Sequence, residues 1–226
     1  MMLIATTVAS VLFTSITSAA GAPAASSPAI PPMIVHVSAA PGISPELLKA
    51  VLAETDAIWR SSGVTFIWRN APQVAASFAA ASEIVPYVPN TLRLMIGESR
   101  GVGREGRLPL GWIVFSDGTV PEQEIYLSHA NARAMMEDAR GVIGIVDQMP
   151  VMQRETLLAR AMGRALAHEL GHYLLASKIH TQRGLMKATM TAVELFMPDA
   201  GGFRIEPAQR RAVAARLRGE PMVASR

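Results

Sequence analysis

Strand and helix signals alternate in the first third of the chain, three further strand signals follow, and helical periodicity dominates from about residue 131 onward. That order predicts an α+β domain: a mixed, mostly parallel sheet backed by helices, with a small helical C-terminal subdomain. The longest helical run carries H-E-x-x-H at residues 168–172, which marks this helix as the one that holds the functional site.

Residues 33–38 alternate as a strand should, with Met33, Val35 and Val37 on one face and Ile34, His36 and Ser38 on the other. Ser44 followed by Pro45 is a helix start, an N-cap and then a proline at the first helical position. Leu47, Leu48, Val51, Leu52 and Ile58 carry the helix onward, and Gly63 ends it. Residues 64–68 form a second strand. Pro72, Pro86, Pro89 and an Ala-rich run make 71–90 a loop with one short helix, and 92–96 is a third strand. Strands at 111–115 and 124–128 flank a turn containing Asp117-Gly118. Helices are expected at 131–140, at 151–175, and at 207–218, the last with Val213 and Leu217 on one face.

The N-terminus reads as a targeting segment. Glu46 is the first charged side chain, residues 3–17 are apolar, and Ser18, Ala19 and Ala20 have the small-residue look of a cleavage site. The expected organisation is a signal peptide at 1–20 cleaved after Ala20, a flexible Ala/Pro/Ser-rich linker at 21–32, and a domain at 33–226 divided near residue 176. The apolar run falls short of the roughly 20 residues a membrane span requires. A secreted or periplasmic product follows, with no stable membrane span once the leader is removed; an uncleaved anchor is the alternative.

Composition narrows the chemistry. Half of the 226 residues are hydrophobic and 17% are charged, which excludes a disordered chain. The absence of cysteine excludes a disulfide scaffold, a thiolate metal site and a cysteine nucleophile. A net charge of +3 with no block of like charges argues against nucleic acid as a partner.

In H-E-x-x-H the two histidines stand four residues apart, so on a helix they share a face and can chelate one Zn²⁺. Glu169, one step round, can serve as general base toward a zinc-activated water. Ala161, Ala165, Leu166, Leu174 and Leu175 mark the helix as buried, and an unpaired carboxylate there is costly. A catalytic zinc usually takes three protein ligands. Two candidates exist for the third. His180 reaches the site only if the helix stops near Ser177 or Lys178 and the chain turns back; Glu194 comes from a later helix.

The stretch from His168 to Met186, with a further histidine and a Gly184-Leu185-Met186 turn, resembles the metzincin metalloproteases, whose helix, third histidine and Met-turn occur in this order. It also resembles a family of bacterial exported proteins with an HELGH…H…GLM-like segment and a C-terminal helix. The resemblance implies a zincin fold, metal ligands His168, His172 and His180 with Glu169 as the catalytic base, and residues 111–115 as an edge strand that binds extended peptide. The sequence departs from the metzincin pattern at two places: Leu175 stands where a glycine is usual, and Lys178 where the third histidine is usual.

Other features carry less. Residues 101–106 match G-x-G-x-x-G but lead to Pro109 rather than to a helix, which argues for a loop instead of a phosphate cradle. His36 and His129 read as packed or surface histidines, His129 being placed to line the cleft if its strand ends there. Tyr126 and Tyr173 are possible oxyanion donors. The sequence-level reading is an exported zinc metallopeptidase acting on a peptide or protein substrate. Its alternatives are a non-catalytic zincin-fold binding protein and a peptidase in which Glu194 replaces His180.

Overall fold

A computed structural model describes residues 29–71, 91–100 and 109–219. The expected leader, nearly all of the linker, the proline-rich 72–90 stretch and the glycine-rich 101–106 lie outside these residues. The elements are β1 (Met33–Ala39), α1 (Pro45–Arg60), β2 (Phe66–Asn70), β3 (Thr91–Gly97), β4 (Gly111–Ser116) and β5 (Val120–Ser128). They are followed by α2 (His129–Asp138), α3 (Arg140–Ile143), α4 (Val151–Leu175), α5 (Ala192–Phe196) and α6 (Pro207–Leu217).

The sheet order is β2-β1-β3-β5-β4. Neighbours are parallel except β4, which runs antiparallel to β5 at the edge. The mixed, mostly parallel sheet expected from the sequence is therefore present. Its buried face is set by period-2 alternation: Met33, Val35 and Val37, then Leu92, Leu94 and Ile96, then Ile125 and Leu127, all turn inward. Among the described residues, no helix is long and apolar enough to cross a membrane.

Boundaries shift where a local bond decides them. Ser44 caps α1 as expected, its hydroxyl accepting the Leu47 N–H at 3.0 Å. The helix stops at Arg60, and Gly63 (φ 75°) instead takes the left-handed turn into Val64. β5 starts four residues earlier than expected, because Asp117 and Gly118 both adopt positive φ and close a tight hairpin that pairs Ser116 with Val120. α2 starts at His129 because the Ser128 hydroxyl accepts the Asn131 N–H at 3.1 Å. It ends at Asp138, ahead of the expected residue 140.

Helix α4 is anchored before it presents any chemistry. Leu166, Leu170 and Leu174 are fully buried. Helix α1 crosses it at Gly163, where the Thr55 hydroxyl donates to the Gly163 carbonyl at 3.1 Å and the Trp59 indole to the Ala167 carbonyl at 3.2 Å. A Cβ on Gly163 would stand 2.6 Å from the Glu54 Cβ and 2.8 Å from the Val51 carbonyl oxygen, closer than packed atoms approach. Gly163→Ala gains about 1 kcal/mol in helix propensity but forces two helices apart, an overpacking that costs about 1–3 kcal/mol. The expected outcome is a net loss of stability in denaturant unfolding; an unchanged or raised stability would contradict this packing.

Candidate metal centre

His168 and His172 stand one turn apart on α4, their ring centroids 4.6 Å apart and their Nε2 atoms 3.0 Å apart. After Leu175 the helix is stopped by Ala176 in the left-handed conformation (φ 46°, ψ 43°), a state that usually calls for glycine. The expected stop at Ser177 or Lys178 thus comes slightly early. The position that departs from the metzincin pattern, Leu175, is still helical, and its neighbour makes the turn. The chain doubles back and brings His180 Nε2 to 3.2 Å from His172 Nε2. One ligand nitrogen from each of the three residues lies within 4.8 Å of the others.

The other ring nitrogens fix the tautomers. His168 Nδ1–H donates to the Leu185 carbonyl at 2.8 Å, and His172 Nδ1–H to the Ser177 carbonyl at 2.6 Å. With protons on Nδ1, both Nε2 atoms present lone pairs, so their 3.0 Å approach is acceptor against acceptor. That arrangement suits a shared cation. Ligands about 2.0–2.1 Å from a tetrahedral ion are separated by roughly 3.3–3.4 Å, close to what is found here.

The Leu185 carbonyl is held by the turn expected at 184–186. Gly184 has φ 80°, and a Cβ there would meet the Arg204 carbonyl oxygen at 2.6 Å. Leu185 N–H donates to that same oxygen at 3.0 Å, and Thr181 N–H to the Met186 carbonyl at 2.8 Å. The buried Met186 sulfur packs against Gly171, between the two helical histidines, where a side chain on residue 171 would overlap it.

Glu169 is buried and accepts the backbone N–H of Ile113 on β4. Burial pushes its carboxyl up to about 8, against that one hydrogen bond. Burial likewise pulls His168 down to about 4, helped by the neighbouring His172 and His180 and opposed by the Leu185 carbonyl. His172 is lowered for the same leading reason. Both helical imidazoles are therefore neutral near pH 7, as metal ligands must be. A cleft of about 780 Å³ opens over the cluster, walled by Gly111, Trp112, Ile113 and Phe115 of β4 and by Ala134, Met135 and Asp138 of α2.

Glu194 is engaged elsewhere. It forms a capping box with Thr191, and its carboxylate meets Lys187 Nζ at 2.7 Å, which holds it at about 2. His36 lies on β1, facing away from the buried side of the sheet. His129 pairs with Glu98 at 2.7 Å and lines a separate pocket of about 300 Å³, not the cleft over the histidines. Tyr126 stacks on Trp112 at 5.4 Å, and Tyr173 lies under the Arg216 guanidinium at 5.2 Å. Neither tyrosine lines the cleft.

Two contributors went unnoticed in the sequence. Gly111 lets β4 pass Glu169; a Cβ there would stand 2.8 Å from Leu127 Cδ2 and 3.1 Å from Glu169 Cγ. Arg164 is fully buried one turn before His168. It joins Glu54 at 2.8 Å and donates to the carbonyls of Glu194 and Met197 at 2.5 and 2.8 Å, tying α5 to α4. The available signal for Arg164 is an i, i+4 pair of arginines, Arg160 and Arg164, among small and apolar residues of the helix that carries His168.

No family model and no curated protein matches the chain. Among solved structures, the chain is similar to archaemetzincin from Methanopyrus kandleri, with a TM-score of 0.46 and 14% identity over 82% of this chain and 96% of that one.

The shifted carboxyl of Glu169 and the lowered imidazoles, His168 foremost, give the metal-free protein a characteristic pH profile. Between pH 4.5 and 8 folded Glu169 keeps a proton that the unfolded chain has released, so stability falls as pH rises. Between pH 4 and 6.5 the unfolded chain holds a proton that folded His168 lacks, so stability rises with pH. The effects oppose one another up to pH 6.5, and Glu169 acts alone above it. In the presence of chelator the protein should lose stability from pH 6.5 to 8, and Glu169→Gln should remove that loss. Parallel denaturation profiles for the two proteins would contradict the burial assigned to Glu169.

Proposed function

We propose that this chain is an exported zinc metallopeptidase of zincin type, with His168, His172 and His180 as ligands and Glu169 as catalytic base. The observation that carries the proposal is the convergence of three imidazole nitrogens, two of them with tautomers fixed by backbone carbonyls, beside one buried carboxylate. Zinc bound there would supply a Lewis acid for a carbonyl, lower the pKa of a water toward 7 and draw Glu169 toward its ionised form. Glu169 takes a proton from the attacking water and delivers it to the leaving amine. Its contact with Ile113 N–H places that transfer beside the middle of β4. As an edge strand, β4 can pair with an extended peptide through main-chain hydrogen bonds.

The alternative is a non-catalytic binding protein that docks an extended partner on the same strand. It is favoured by one observation: neither tyrosine considered as an oxyanion donor lines the cleft. Glu169→Gln separates the two readings. As a peptidase, the variant should retain stoichiometric zinc and lose on the order of 10²–10⁴ in rate on a peptide pool. Equal rates would sink the mechanism, and zinc-loaded wild type without turnover would favour the binding protein.

Export rests on the uncharged apolar run at 3–17 and the small residues ending at Ala20. Protein sequencing of the exported product should begin at Gly21; an intact N-terminus would contradict cleavage.

A further inference from the structure

Two lysines line the cleft, Lys178 and Lys187. Lys187 is neutralised by Glu194 at 2.7 Å. Lys178 is exposed, with its ammonium 5.0 Å from the centre of the Phe115 ring, and no carboxylate pairs with it among the described residues. A ring face attracts a cation but does not satisfy its three N–H donors. Of the two carboxylates that line the cleft, Glu169 is buried against Ile113 and Asp138 is carried by α2. The cleft thus offers an available ammonium at one identifiable place.

That place can be located along the substrate path. Glu169 meets β4 at Ile113, which marks the reaction centre, and Phe115 is two residues further on, at most about 7 Å along the strand. Antiparallel pairing is the slightly more stable mode, so an extended peptide laid against β4 runs opposite to it. Its amino-terminal portion then lies at the Phe115 end, beside Lys178.

Resting on the peptidase reading, we propose that Lys178 makes the cleft select substrates with an aspartate or glutamate on the amino-terminal side of the scissile bond, within two positions of it. The interaction is exposed and salt-screened, which limits the discrimination to about two- to fivefold.

The test is cleavage-site profiling of a mixed peptide library by the full-length zinc-loaded protein, read by mass spectrometry. Acidic residues should be enriched about two- to fivefold on that side at low salt and less so at high salt. Lys178→Glu should replace the enrichment by Lys and Arg, whereas Lys49→Glu, on the exposed surface of α1, should keep the wild-type profile. No acidic enrichment, or the same profile for wild type and Lys178→Glu, overturns the proposal. If zinc-loaded wild type cuts nothing, the peptidase reading fails by itself. The charge preference is then read from fluorescence anisotropy of two peptides that differ only by Glu or Lys, titrated with Glu169→Gln. Tighter binding of the Glu peptide, reversed by Lys178→Glu, supports the proposal; equal affinities overturn it.

Discussion

Two hydrogen bonds organise this site: His168 Nδ1–H to the Leu185 carbonyl and His172 Nδ1–H to the Ser177 carbonyl. They place both protons on the far side of the rings and leave two lone pairs facing one another at 3.0 Å in a largely buried setting. Without a cation, that arrangement sets two acceptors against each other with no proton between them. Each carbonyl is in turn held by a special backbone state. Ser177 follows the left-handed Ala176, and Leu185 follows the left-handed Gly184 clamped against Arg204. At Gly184 that state costs a glycine nothing; at Ala176 it is strained, and the His172–Ser177 bond one residue on holds it.

The scaffold supports the same geometry from three directions. Helix α1 crosses α4 so tightly at Gly163 that no side chain fits. The buried Arg164 guanidinium draws the end of α5 onto α4, one turn from His168. Strand β4, passing Glu169 at Gly111 and Ile113, buries one side of the carboxylate and fixes it through the Ile113 N–H, while Glu169 still lines the cleft. Apolar packing and the polar site are therefore built on the same helix, with the leucines inward and the histidines toward the cleft.

Much of this was legible in the chain. The bounds of α4 followed from periodicity, and the closeness of His168 and His172 from an i, i+4 spacing that only a helix turns into a shared face. The third histidine was not decidable locally. Nothing in Ala176 demands a left-handed conformation, so the return of His180 is visible only with the His172–Ser177 bond in place. Glu194, the other candidate, has its carboxylate engaged by Lys187 and Thr191 at a separate helix start. The burial of Glu169 by β4 joins residues more than fifty positions apart, beyond the reach of any pattern. The early start of β5 has a signal in Asp117-Gly118, but that both residues take positive φ and pair Ser116 with Val120 is a property of the closed hairpin. His129, considered for the cleft, turned to Glu98 because helix α2 begins at that residue.

The central claim is that three imidazoles of this chain share one cation. X-ray absorption on zinc-loaded protein tests it directly. The account predicts three nitrogen scatterers of imidazole type at about 2.0–2.1 Å, reduced to two in His180→Ala and unchanged in Glu194→Gln. Two imidazoles plus a carboxylate, indifferent to the His180 substitution and altered by the Glu194 one, would contradict it.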